Sequence, residues 1–140
     1  MGSHGVAIGA LLGSLLAAVP VAAREIVIAN ESISAPSISA GDLERVFLGK
    51  STKIRGDRVE IAVLSEGVTH AEFLTSYLHK NPRQFLSHWR KMCFTGKGSM
   101  PVSFASEREL AAYVRATPGA IGYIDSGTPH AAVKTLAVSP

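Results

Sequence analysis

The sequence is poor in the residues that staple, chelate or stack. It has one cysteine, Cys93, so no internal disulfide can form and no Cys-x-x-Cys pair exists. His70, His79, His88 and His130 show no H-x-H or H-x-x-x-H spacing, so no metal site is expected. There is no G-x-S-x-G elbow. The stretch Thr95-Gly96-Lys97-Gly98-Ser99 lacks the full phosphate-loop spacing and reads as a flexible loop. These absences leave an enzyme without a positive signal and imply no cofactor. Aromatic residues make up only 6% of the chain and are not interleaved with the basic ones, so a nucleic-acid surface has no support in the sequence and none is expected.

Charge is also sparse. Charged residues make up 18% and hydrophobic residues 46% of the 140 residues, a globular composition too apolar for disorder. The net charge is +3, with basic residues gathered mainly in 50–58 and 83–97. The length suits one domain.

Residues 1–23 contain no charged side chain, and 6–19 is a run of Ala, Leu, Ile, Val, Gly and Ser. Small residues at Val21 and Ala23 precede Arg24. This is the pattern of a secretory leader, although its start carries His4 in place of Lys or Arg. The expectation is cleavage before Arg24, a mature domain over 24–140, and a periplasmic or secreted location. Membrane contact would come through the leader only. An uncleaved anchor is the alternative, and Gly9, Gly13 and Pro20 weaken it. In an exported protein an odd cysteine can pair between chains. Cys93 shares a helical face with Phe85, Leu86, Trp89 and Met92, so it is expected to be buried and inert.

The chain is organised around 59–78, VEIAVLSEGVTHAEFLTSYL. Val59, Ile61 and Val63 alternate with Glu60 and Ala62, the period of a strand with one face inward. Ser65-Glu66-Gly67 breaks the pattern with turn formers. From Thr69 the apolar residues Phe73, Leu74, Tyr77 and Leu78 share one helical face. Thr69 and Glu72 stand at capping-box spacing. A strand running into a helix N-terminus leaves backbone N–H groups that can receive an anion.

Around this stretch, 25–30 reads as a strand, 31–39 as a loop and 41–48 as a short helix with Leu43, Val46 and Phe47 inward. The segment 50–58 is a polar connection turning at Gly56-Asp57. Asn81-Pro82 opens a helix to about Phe94. Ser106 and Glu109 open another, stopped by Thr117-Pro118-Gly119. Strands follow at 120–124 and 133–138. His79 and His88 are expected on solvated faces. Strands alternating with helices predict an α/β fold.

Four pieces, in order, resemble the substrate-binding proteins of phosphate ABC transporters, in a short single-lobe form. They are Asp42-Leu43 with Val46-Phe47-Leu48-Gly49-Lys50; the strand, turn and helix over 63–78; Trp89 with Phe94-Thr95-Gly96-Lys97-Gly98 and Pro101; and Thr117-Pro118-Gly119-Ala120-Ile121-Gly122-Tyr123. The resemblance implies a periplasmic-binding-protein-like single lobe, a central mixed β-sheet flanked by about four helices. In full-length relatives two lobes close on phosphate. A turn resembling Arg-Ser-x-Gly-Ser-Gly-Thr supplies hydrogen bonds. Here that turn is Leu64-Ser65-Glu66-Gly67-Val68-Thr69-His70, with leucine in the place of arginine.

Of this turn only Ser65 and Gly67 match, and Val68, Thr69 and His70 stand where Ser, Gly and Thr would be; the candidate ligand residues are Ser65 and Gly67 by the resemblance, with Val68, Thr69 and His70 at the helix start. The amides near Val68–His70, the Thr69 hydroxyl and, at mildly acidic pH, a protonated His70 would face phosphate or another small anion. Leu64 cannot make an arginine's bidentate bonds, and Glu66 opposes a dianion. A single lobe also needs an opposite wall, from a homodimer, an ABC permease or another envelope protein. A protein-interaction module that keeps the fold without the anion site is the alternative.

Overall fold

The computed structural model describes residues 25–140. The expected leader at 1–23 lies outside the described residues. Eight strands and four helices follow in the order β1 (Glu25–Ala29), β2 (Ser37–Ser39), α1 (Ala40–Phe47), β3 (Lys53–Ile54), β4 (Asp57–Arg58), β5 (Glu60–Leu64), α2 (Val68–Phe73), α3 (Pro82–Phe94), β6 (Val102–Phe104), α4 (Glu107–Ala116), β7 (Ala120–Asp125) and β8 (Lys134–Ser139). A π-helical turn, Leu74–Leu78, continues α2.

Six strands make one mixed sheet in the order β2-β8-β1-β7-β5-β6. β1 runs antiparallel to both β7 and β8, whereas β5 runs parallel to β7 and β6, and β2 parallel to β8. The central strands β1, β7 and β5 are apolar over most of their length because helices cover both faces. Val27, Ile28 and Ala29 of β1 are buried, as are all of Ala120–Ile124 in β7. β5 behaves the same way. Leu64 extends the alternating apolar run, which marks that end as buried on both sides, and Ala62, Val63 and Leu64 are all buried in succession.

Successive residues of β7 show the two layers. Gly122 faces α4, where an added Cβ would sit 2.7 Å from Leu110 Cδ2 and 3.1 Å from the Ala62 carbonyl oxygen. Tyr123 points the other way, stacked on Phe73 at 3.8 Å between ring centroids and meeting the edge of Phe47 at 5.8 Å. α4 is tied to the sheet by buried Asn30, whose side-chain amide donates to the carbonyls of Val114 (2.8 Å) and Arg115 (3.0 Å). These are carbonyls of the last helical turn, which have no partner within the helix.

Several local readings shift. α3 is capped by Asn81 as its sequence predicts, with Gln84 closing the box, and Ser106 caps α4 through the Glu109 amide. The basic connection at 50–58 holds a small hairpin, β3–β4. It turns at Arg55 (φ 48°) and Gly56 (φ 86°), one residue earlier than expected. Two left-handed residues in succession match the twist of a tight hairpin. β2 and β6 are three-residue edge strands absent from the sequence reading. The helix from Thr69 to Leu78 is α-helical only to Phe73. The wider i→i+5 turn after it carries Leu74 and Leu78 to the core and leaves Tyr77 half-buried.

Cys93 is half-buried, not buried, and Leu86 is 42% exposed. The buried residues of α3 are Phe85 and Trp89, so its inward face is narrower than the apolar pattern suggests. His79 is exposed in a left-handed cap. His88 is half-buried, its Nε2 2.7 Å from the Leu48 carbonyl oxygen, so it is not on a solvated face.

Gly119 is the tightest backbone approach. Its φ is +79°, its N–H donates to Ser32 Oγ, and an added Cβ would lie 2.8 Å from the Arg58 carbonyl oxygen. Gly119→Ala is expected to destabilise the fold by at least about 1–2 kcal/mol, the left-handed cost alone, read as a lower urea midpoint. An unchanged midpoint would contradict this packing.

Candidate functional site

The turn after β5 is held by its neighbours before it can hold anything else. The Ser65 N–H donates to the Phe104 carbonyl at 2.9 Å, and its hydroxyl lies 3.3 Å from the same oxygen. Gly67 follows with φ 101°, a conformation other residues rarely adopt. It is Gly67, not Thr69, that occupies the N-cap of α2, and no side chain caps that end. The expected capping box of Thr69 with Glu72 is therefore absent. Thr69 lies inside the first turn and is buried.

The five residues singled out in the sequence divide into three environments. Ser65, Gly67 and Val68 are exposed, Val68 at 69%. Gly67, Val68 and Thr69 line an open hollow of about 530 Å³, together with Leu64, Glu66, Ala105, Ser106 and Glu107. This hollow lies at the carboxyl end of β5, where the N-termini of α2 and α4 converge. Carboxyl ends of strands are the usual ligand face of open α/β sheets. Two carboxylates border it, Glu66 and Glu107.

Glu107 makes the most of these contacts. Its Oε2 accepts from the Thr69 hydroxyl at 3.2 Å, and its Oε1 accepts from the Asp125 N–H and from the Thr128 hydroxyl at 3.3 Å. A carboxylate at the first turn of α4 is also favourably placed in the helix dipole. The protein thus supplies its own anion to donors gathered from α2, the last residue of β7 and the segment after it. Sequence reasoning passed over Glu107, because its partners lie far along the chain and only Glu109 stands at capping distance from Ser106.

His70 turns away from the hollow and into the core. It is 6% exposed, with Nδ1 2.5 Å from the Tyr123 hydroxyl oxygen. That oxygen also accepts the Leu64 N–H at 3.0 Å. The amide nitrogen can only donate, so the arrangement that also gives the tyrosine hydrogen an acceptor sends it to His70 Nδ1, with the ring proton on Nε2. Burial lowers the His70 pKa and raises that of Tyr123. The ring therefore brings no charge to the hollow at neutral pH, and the charge expected of it at mildly acidic pH is opposed by burial and not aimed at the hollow, whose lining does not include it. No group of three or more His, Cys, Asp or Glu side chains suited to a metal occurs among the described residues.

Tyr123→Phe leaves the Leu64 amide and His70 Nδ1 without their buried partner. The expected loss is about 1–3 kcal/mol in chemical denaturation. The lowered His70 pKa also has a sign. The unfolded ring takes up a proton near its ordinary value of 6.5, while the folded ring resists. The unfolded state then binds more protons, so stability is full above that value and falls as pH drops through the lowered folded pKa. His70→Gln should flatten this acid limb, and an unchanged limb would rule out His70 as its source.

No protein-family model and no curated protein matches the chain. Solved structures do. The chain is similar to an ABC-type phosphate transport receptor from Vibrio cholerae, with TM-score 0.61 and 10% identity over 81% of this chain and 45% of that one. It is similar to a protein from Clostridium perfringens assigned as a phosphate ABC transporter substrate-binding protein, with bound phosphate (TM-score 0.60, 12% identity, 81% and 44% covered). A possible phosphate binding protein from Planctomyces limnophilus is a third (TM-score 0.56, 12% identity, 82% and 41% covered). The chain spans less than half the length of these proteins, and over that span it has the periplasmic-binding-protein fold that the sequence resemblance implies.

Proposed function

We propose that this chain is an exported, non-catalytic, single-lobe relative of the phosphate-binding proteins of ABC transport. It would hold phosphate or another small oxyanion weakly at the hollow where α2 begins. The observation that supports this most is the uncapped first turn of α2, at the carboxyl end of β5 in this fold. Amides of a first helical turn have no partner within the helix, and their dipole favours an anion. Gly67, Val68 and Thr69 supply these amides, with Ser65 beside them.

Binding is weak in this reading for three reasons. Leu64 stands where an arginine would give two charge-assisted bonds. Glu66 and Glu107 both border the hollow. His70 is buried and uncharged at neutral pH. A dissociation constant near 1 mM corresponds to about −4 kcal/mol, a reasonable yield for backbone donors without a cation. A second copy of the chain, an ABC permease or another envelope protein would close the open side.

Calorimetry with phosphate, sulfate and small carboxylates tests this. The expected result is saturable millimolar binding of at least one anion, tightened several-fold by Glu66→Gln. Silence with every anion at millimolar concentration would overturn carriage.

One observation favours a second reading, a protein-interaction module that keeps the fold and has lost the site. The Thr69 hydroxyl is already committed to Glu107. In that case no anion binds, and a purified envelope partner binds equally well to Thr69→Ala and to the unaltered chain.

A further inference from the structure

A second opening lies on the other side of His70. It is a cavity of about 580 Å³, within the usual range for small-molecule pockets, between α3 and the ends of β5 and β6. Its walls are mainly apolar, built by Val63, Leu64, Phe85, Leu86, Met100 and Pro101. Arg83 and Arg90 also line it, and no acidic side chain does. The two arginines are seven residues apart, two turns on the same side of α3. The charge bias is regional: from Phe73 to Ser106 the chain has no Asp or Glu, yet carries Lys80, Arg83, Arg90, Lys91 and Lys97.

One directed donor opens into this space. His70 lines the cavity, and its Nδ1 is taken by Tyr123. The proton is on Nε2, and among the described residues no buried side-chain nitrogen or oxygen lacks a partner. Nε2 has no protein partner, so it must reach an opening, and the cavity His70 lines is that opening. Apolar exposure gathers here too. Leu86 and Met100, at 42% and 50% exposed, are both on the cavity wall.

We propose that this cavity binds an amphiphilic carboxylate. The carboxylate accepts the His70 Nε2–H and is drawn in by the field of Arg83 and Arg90. The alkyl or aryl body lies against Phe85, Leu86 and Met100. A free inorganic anion gains nothing from the apolar walls, and an uncharged amphiphile gains nothing from the arginines. Both features together select an organic acid with an apolar body. The site is independent of the hollow at α2, which offers backbone amides and two carboxylates.

Decanoate, decanol and inorganic phosphate are the probes, titrated into the purified chain by NMR with the His70 ring signals followed. Decanoate is expected to bind saturably, to shift those signals, and to bind at least tenfold more tightly than decanol. Phosphate should not displace it. The double variant Arg83→Gln, Arg90→Gln should lose about tenfold, and Leu86→Glu, an exposed change compatible with folding, should remove binding. Absence of saturable decanoate binding would overturn the proposal. So would equal binding of decanol, indifference to the arginine changes, or shifts confined to residues away from His70. Failure of phosphate to bind at α2 leaves these outcomes unchanged, so the two readings fail separately.

Discussion

The hydroxyl of Tyr123 holds together the place where this sheet opens. β5 and β7 pair in register at Glu60 with Ala120 and at Ile61 with Ile121. Further along, the tyrosine oxygen takes the Leu64 amide hydrogen, and its own hydrogen goes to His70. One phenol therefore substitutes for a missing rung of the ladder and fixes the first turn of α2. Its ring stacks on Phe73 and touches Phe47, so the same residue joins α1 and α2 to the sheet. Buried polar atoms without partners are costly, and this one hydroxyl partners both the Leu64 amide and His70 Nδ1.

This arrangement explains why the two cavities differ. α2 begins with exposed amides on one side of the β5 end, and His70, two residues inside, faces the other. The first opening combines backbone donors with acidic borders. The second combines an imidazole donor, arginines and apolar walls. A resemblance to phosphate-binding proteins directs attention to the first only, because it follows the turn and not the histidine's surroundings.

Much of the fold was legible because its signals are local. Asn81-Pro82 and Ser106 mark helix starts through contacts three residues away, and the structure makes those contacts. Leu43, Val46 and Phe47 disclose the inner face of α1 by their spacing, and all three are buried. The short edges were not legible. β6 is a strand because Ala62–Leu64 lies beside it, and β2 because β8 does; three residues carry no period of their own. The local contacts of the site were illegible for the same reason. Thr69 and Glu72 have capping spacing, but Gly67 takes the cap and Glu107, 38 residues from Thr69, takes the hydroxyl. His70 looks like a surface donor until Tyr123 is placed over it.

The position of β8 has a consequence for how the polypeptide acquires its shape. This last strand inserts between β2 and β1, both of which come from the first part of the described chain. Neither can complete its hydrogen bonding until residues about a hundred positions later arrive, as with Ala29 opposite Lys134. Such separations raise contact order and slow assembly. The two early strands therefore reach their full set of native partners only once β8 has been added.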